Sequence, residues 1–77
     1  MDKVVLPELG EGIEKATVAL WHFQVGDPIQ EGDDLVELVT DKATFNVSAH
    51  TSGTVKAILI KEGQEANIGE ALAIIQS

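Results

Sequence analysis

Cysteine is absent from the 77 residues, so no disulfide framework, thiol nucleophile or cysteine-based zinc site is available, and packing alone must hold so small a domain. Such a chain suits a reducing compartment. Arginine is absent too: five lysines stand against thirteen acidic residues, a net charge of −8 that repels phosphate backbones and anionic membranes. Nucleic acid and membrane are therefore not expected partners. There is no low-complexity tract, and Met1, Asp2 and Lys3 precede only three apolar residues before Pro7, which reads as neither a signal peptide nor a membrane span. The chain is expected to be soluble and untargeted. Gly10, Glu11 and Gly12 lack the third glycine of a dinucleotide fingerprint, since Lys15 holds that place, and no Gly-Lys-Ser/Thr follows for a phosphate loop. Ser48, Ser52 and Ser77 stand outside any Gly-x-Ser-x-Gly, and His22 and His50 form no spaced pair, so neither catalysis by the domain alone nor a metal site is expected. Asn46, Val47 and Ser48 match the glycosylation pattern, but inside an expected strand.

What is there is a 44% hydrophobic content spread from Val4 to Ile75. At this length roughly 60% of the unfolded surface can be buried, which permits one core and so a single domain over residues 1–77. The stretch Ile13 to Val25 is free of glycine and proline, and its β-branched and aromatic residues favour strand over helix. Phe45, Val47 and Ala49 alternate with Thr44, Asn46 and Ser48, the period of two of a half-buried strand. The expected strands are Val4 to Pro7, Ile13 to Val25 with a bend, Ile29 as a short bridging piece, Leu35 to Thr40, Ala43 to Ala49, Thr54 to Ile60 and Leu72 to Ile75. Their edges would be guarded by Lys3, Pro7, Lys61 and the many acids.

At an offset of 37 the chain repeats itself: Thr17, Val18, Gly26, Gly32 and Leu35 fall on Thr54, Val55, Gly63, Gly69 and Leu72. Trp21, Phe23 and Leu38 likewise fall on Ile58, Ile60 and Ile75. The paired glycines sit where β-turns call for positive φ, so two similar halves should pack face to face as an all-β antiparallel sandwich or flattened barrel with pseudo-two-fold symmetry.

Only Asp41 and Lys42 separate two of the expected strands, which puts Lys42 at the tip of a tight hairpin. Neither residue is glycine, although aspartate tolerates the positive φ that such a turn commonly uses. A lysine on an acidic surface is ordinarily a solvated charge, but this one lies at the crossover between the two repeats. A single presented amine on a rigid scaffold is what enzymatic acylation needs.

Thr40, Asp41, Lys42 and Ala43, following Leu35, Val36, Glu37 and Leu38, resemble the attachment motif of lipoyl domains. Leu6 to Ile13 resembles the opening strand and loop of lipoyl domains of 2-oxo acid dehydrogenase acyltransferases. Trp21, Val25, Gly26, Asp27, Glu31, Gly32 and Asp33 resemble the approach to their hairpin, and Gly53 stands eleven residues after the lysine as in that family. Val39 departs from it, since many members carry glutamate there. Biotinyl domains share the fold but usually flank their lysine with methionine on both sides, whereas Asp41 and Ala43 stand here.

The resemblance implies two four-stranded antiparallel sheets and lipoate in amide linkage to Lys42, with no catalysis by the domain itself. Asp41, Ala43 and the loop Gly10, Glu11, Gly12 would be recognition residues. The implied partners are a lipoate ligase or lipoyl transferase, a thiamin-diphosphate 2-oxo acid decarboxylase, an acyltransferase core and a flavin-dependent dihydrolipoamide dehydrogenase. Ending at Ser77 without an Ala/Pro-rich linker, the chain is expected to be a domain of a longer subunit or a free-standing carrier, in a bacterial or archaeal cytoplasm or a mitochondrial matrix. An unmodified assembly module on the same fold is the competing class.

Overall fold

Apolar and polar residues alternate in short runs too brief for helices, and a computed structural model, which describes all 77 residues, resolves them into eight strands. These are β1 (Asp2–Val5), β2 (Lys15–Trp21), β3 (Pro28–Ile29), β4 (Asp34–Val39), β5 (Thr44–Ser48), β6 (Gly53–Ile58), β7 (Glu65–Asn67) and β8 (Ala71–Gln76). All pairings are antiparallel, in sheet A with order β1-β8-β6-β3 and sheet B with order β5-β4-β2-β7. Adding four to each strand number of one sheet, cyclically, generates the other. The sheets pack face to face and do not close into a barrel.

The 37-residue repeat is therefore the symmetry of the fold. The core contains Val18 and Val55, Leu35 and Leu72, and Leu38 and Ile75 as equivalent pairs, and no polar side chain is buried with them. Burying each of these leucine or isoleucine side chains contributes roughly 1.5–3 kcal/mol, and with no cysteine in the chain the fold rests on such packing rather than on disulfides. The turn glycines repeat as well, with φ of 97° and 89° at Gly26 and Gly63, and 94° and 87° at Gly32 and Gly69. Gly26 N–H donates to the Val55 carbonyl at 2.8 Å, and Gly63 N–H donates to the Val18 carbonyl at 2.8 Å. Each half thus delivers its turn to the other half's strand.

The strand bounds differ from the sequence expectation in instructive places. Ile13 and Glu14 belong to the loop before β2, and beyond Trp21 the chain leaves sheet B to reach Val55 in sheet A. The bend is a break in register between Val18 and Leu20 opposite β4. β1 begins at Asp2 and ends before Leu6, whose N–H goes to the Glu70 carbonyl at 2.9 Å. β7 was not expected, because Ala66 is its sole buried residue. The expected edge guard Lys61 lies outside the strands, while Pro28 occupies edge strand β3, where a missing N–H costs no ladder bond.

Candidate functional site

The β4–β5 turn is built by Thr40. Its N–H donates to the Ala43 carbonyl at 2.9 Å, and its Oγ1 accepts from the N–H groups of Lys42 at 3.1 Å and Ala43 at 3.0 Å. The hydroxyl also lies 3.0 Å from the Ala43 carbonyl, to which it donates. Asp41 and Lys42 occupy the two central positions, as the spacing predicts. No non-glycine residue has positive φ, so the turn does not use the mirror-image geometry that aspartate would tolerate. The Thr40 hydroxyl supplies the closure instead. Its structural role was missed in the sequence, although threonine at the first position of a turn is a recognisable signal.

Lys42, Asp41 and Ala43 are all exposed. Lys42 makes no ion pair; the one salt bridge joins Lys15 and Glu65 at 3.6 Å, both well exposed. The amine is thus presented without a competing carboxylate. Gly12 lies against it: a Cβ there, where φ is +81°, would stand 3.0 Å from Lys42 Nζ. Gly10 instead packs toward Ile13, whose Cδ1 would lie 3.6 Å from an added Cβ, and Ile13 N–H donates to the Gly10 carbonyl at 3.2 Å. The Glu11 and Asp41 side chains are exposed and make no hydrogen bond within the protein. An acyl chain in amide linkage on Nζ fits this setting, because the neighbouring backbone carries no side chain at Gly12 and the turn is open to solvent.

The remaining candidates stand apart from the turn. His22 and His50 are exposed, and no three histidine, aspartate or glutamate side chains come together in a metal-binding group. Trp21 is half-buried against the core: its indole N–H donates to the Ile60 carbonyl at 2.8 Å, which satisfies the one polar group of the ring.

The family profile described as "Biotin-requiring enzyme" (biotin/lipoyl) matches residues 2–75. A dihydrolipoyllysine-residue succinyltransferase component of a 2-oxoglutarate dehydrogenase complex from Staphylococcus saprophyticus is 39% identical over 97% of this chain and 18% of its own length. A dihydrolipoyllysine-residue acetyltransferase component of a pyruvate dehydrogenase complex from Acholeplasma laidlawii is 38% identical over 88% of this chain and 12% of its own. The chain thus spans less than a fifth of these curated relatives. Among solved structures, the lipoyl domain of the 2-oxoglutarate dehydrogenase complex from Azotobacter vinelandii superposes with a TM-score of 0.78 at 29% identity, covering 97% of this chain and 95% of that one. With its two four-stranded sheets and its lysine turn, the chain belongs to the biotin/lipoyl attachment family.

Proposed function

We propose that this chain is a lipoyl carrier, with lipoate in amide linkage to Lys42 as a swinging arm that moves acyl groups and electrons between the active sites of a 2-oxo acid dehydrogenase complex. The observation that carries the reading is one unpaired, exposed lysine on a turn closed by the Thr40 hydroxyl. The acyltransferase relatives and the lipoyl-domain likeness support lipoate over biotin. When bound, the group supplies a reducible dithiolane. The protein's own part is presentation: the rigid turn fixes the base of the arm, and tethering raises the arm's concentration at a partner's active site to the millimolar range typical of short flexible links.

Asp41, Ala43 and the Gly10–Gly12 loop flank the amine and form the surface that a modifying or loading enzyme would read. The Glu11 and Asp41 carboxylates, left without internal partners, are available to donors on that enzyme. The partners in this reading are a lipoate ligase or lipoyl transferase, a thiamin-diphosphate decarboxylase, an acyltransferase core that passes the acyl group to coenzyme A, and a dihydrolipoamide dehydrogenase. A biotinyl carrier is the second reading, because the matching family profile is described by biotin.

Mass spectrometry of the intact protein and its peptides, after co-expression with lipoate and biotin ligases and supply of both acids, decides between them. A lipoyl increment on Lys42 alone is expected. A biotinyl increment would place the chain with carboxylase carriers, and an unmodified Lys42 in a folded protein would make it an assembly module.

A further inference from the structure

The two sheets turn different outer faces to solvent, and the internal repeat pairs those faces position by position. On β8 the buried Leu72, Ala73 and Ile75 leave Ala71 and Ile74 pointing outward, and the buried Val4 and Leu6 leave Val5 outward and 44% exposed. Lys3, Ile74 and Ala57 are successive register partners across β1, β8 and β6. Val5 and Ala71 form the next row, continued by Leu59, which is 48% exposed and donates its N–H to the Leu72 carbonyl at 2.8 Å. In sheet B the equivalent rows hold Asn46, Glu37 and Leu20, then Ser48, Asp34 and His22. Ala57 and Leu20 are apolar in both sheets. At Ile74, Val5, Ala71 and Leu59, however, sheet A is apolar where sheet B is polar or charged.

Charge divides in the same way. The outward strand residues of sheet A include Lys3 and Lys56 and no carboxylate, because Asp2 shares the inward side with the buried Ile75. Those of sheet B include Asp34, Glu37 and Glu65 against Lys15 alone. Lys15 is paired with Glu65, whereas Lys3 and Lys56 make no ion pair. They stand two strands apart, about 10 Å, with Ile74 between them. Single exposed aliphatic residues are ordinary on a soluble protein, but these adjoin in two rows between unpaired cations on a chain of net charge −8. Such a face complements an aliphatic segment bearing carboxylates, and the acidic remainder of the molecule disfavours a second copy or an anionic membrane.

We propose that the outer face of sheet A is a docking surface for an aliphatic segment of a partner protein flanked by carboxylates, seated over Ile74 with its carboxylates at Lys3 and Lys56. The inference does not depend on which group Lys42 carries. Covering Val5, Leu59 and Ile74 removes apolar surface from water on both sides, and the two lysines select an acidic segment over a basic one. The lysine turn belongs to sheet B, whose outer face points the opposite way, so a segment held on sheet A leaves Lys42 uncovered. A carrier could thus be held by one surface while its amine is presented by another.

The test is an NMR titration of the chain with the peptide acetyl-Glu-Thr-Leu-Thr-Glu-amide, which places leucine between two carboxylates on one side of an extended segment. Saturable shifts are expected at the Val5, Leu59 and Ile74 methyls and the Lys3 and Lys56 amides, with binding about tenfold weaker for acetyl-Lys-Thr-Leu-Thr-Lys-amide. Val5→Ser, Leu59→His and Ile74→Glu together install residues that the fold already accepts at the equivalent places in sheet B. That variant should keep the sheet B spectrum and lose the shifts, whereas Leu20→Glu, exposed on the outer face of sheet B, should keep them. Should the triple variant fail to fold, Lys3→Glu with Lys56→Glu leaves both apolar rows in place and should lose the shifts as well. No saturable shift on sheet A, an equal response to the basic peptide, or undiminished binding by the folded triple variant would overturn the docking surface. Shifts produced by phosphatidylglycerol–phosphatidylcholine vesicles and not by the acidic peptide would overturn the protein partner and assign the face to an anionic membrane.

Discussion

At Thr40 a single oxygen closes the turn by accepting two N–H groups, from Lys42 and Ala43. The bonds are exposed, so water competes for each of them and their joint contribution to stability falls near the low end of the usual range, about 1 kcal/mol. Their larger effect is on the fraction of time Lys42 spends in one orientation. Thr40→Val keeps the β-branched shape and removes the oxygen. It should lower stability by about 1 kcal/mol, speed hydrogen exchange at the Lys42 and Ala43 amides, and slow lipoylation of Lys42 by a ligase several-fold. Exchange and modification rates equal to those of the parent protein would mean that the backbone bond from Thr40 to Ala43 suffices to hold the turn.

The strands divide into those legible in the sequence and those that were not. β5 announced itself by strict alternation from Thr44 to Ser48, and β4 by its apolar run into the lysine turn. β7 carries Glu65 and Asn67 around one small buried alanine, so no hydrophobic signal exists locally; its existence follows only from the repeat, as the copy of β3. The position of Lys42 was readable from spacing, whereas the turn geometry was not, because Thr40 acts through a hydroxyl bond that no apolar pattern encodes. Register against the neighbouring strand is also invisible in a single strand, and Gly53 is the clearest case. By the repeat it corresponds to the buried Ala16, yet a Cβ there would collide with the Gln76 carbonyl and stand 3.0 Å from the Ile75 side chain. Gly53→Ala should therefore force β6 and β8 apart and destabilise the fold by roughly 1–3 kcal/mol, as overpacking does. A lowered urea midpoint with an unchanged slope is the expected signature; an unaltered midpoint would show that the strand ends give way without cost.

For the molecule as a whole, the acidic surface and the isolated position of Lys42 make one forecast about modification. Lipoylation removes one of five positive charges and takes the net charge from −8 to −9, which should delay elution from an anion exchanger. Because Lys42 has no ion pair to lose, the lipoylated and unmodified proteins should unfold within about 0.5 kcal/mol of each other, a comparison for urea titration. The symmetry makes a stronger one. In sheet B the strand pair β4 and β5 is joined by the lysine turn; its counterparts in sheet A are β8 and β1, which pair Asp2 with Ile75. The place equivalent to the lysine turn is thus where the two ends of this chain meet, and the fold has the same hydrogen-bonded ladder at both places. A permuted chain, opened between Asp41 and Lys42 and closed by a short turn from Ser77 to Met1, should therefore recover both sheets with the β1–β8 register intact. Amide NMR would show it: protected amides in β1 and β8 are expected. Loss of protection throughout would mean that the covalent Thr40–Ala43 turn, and not the symmetric packing of Leu35, Leu38, Leu72 and Ile75, determines whether the two halves assemble.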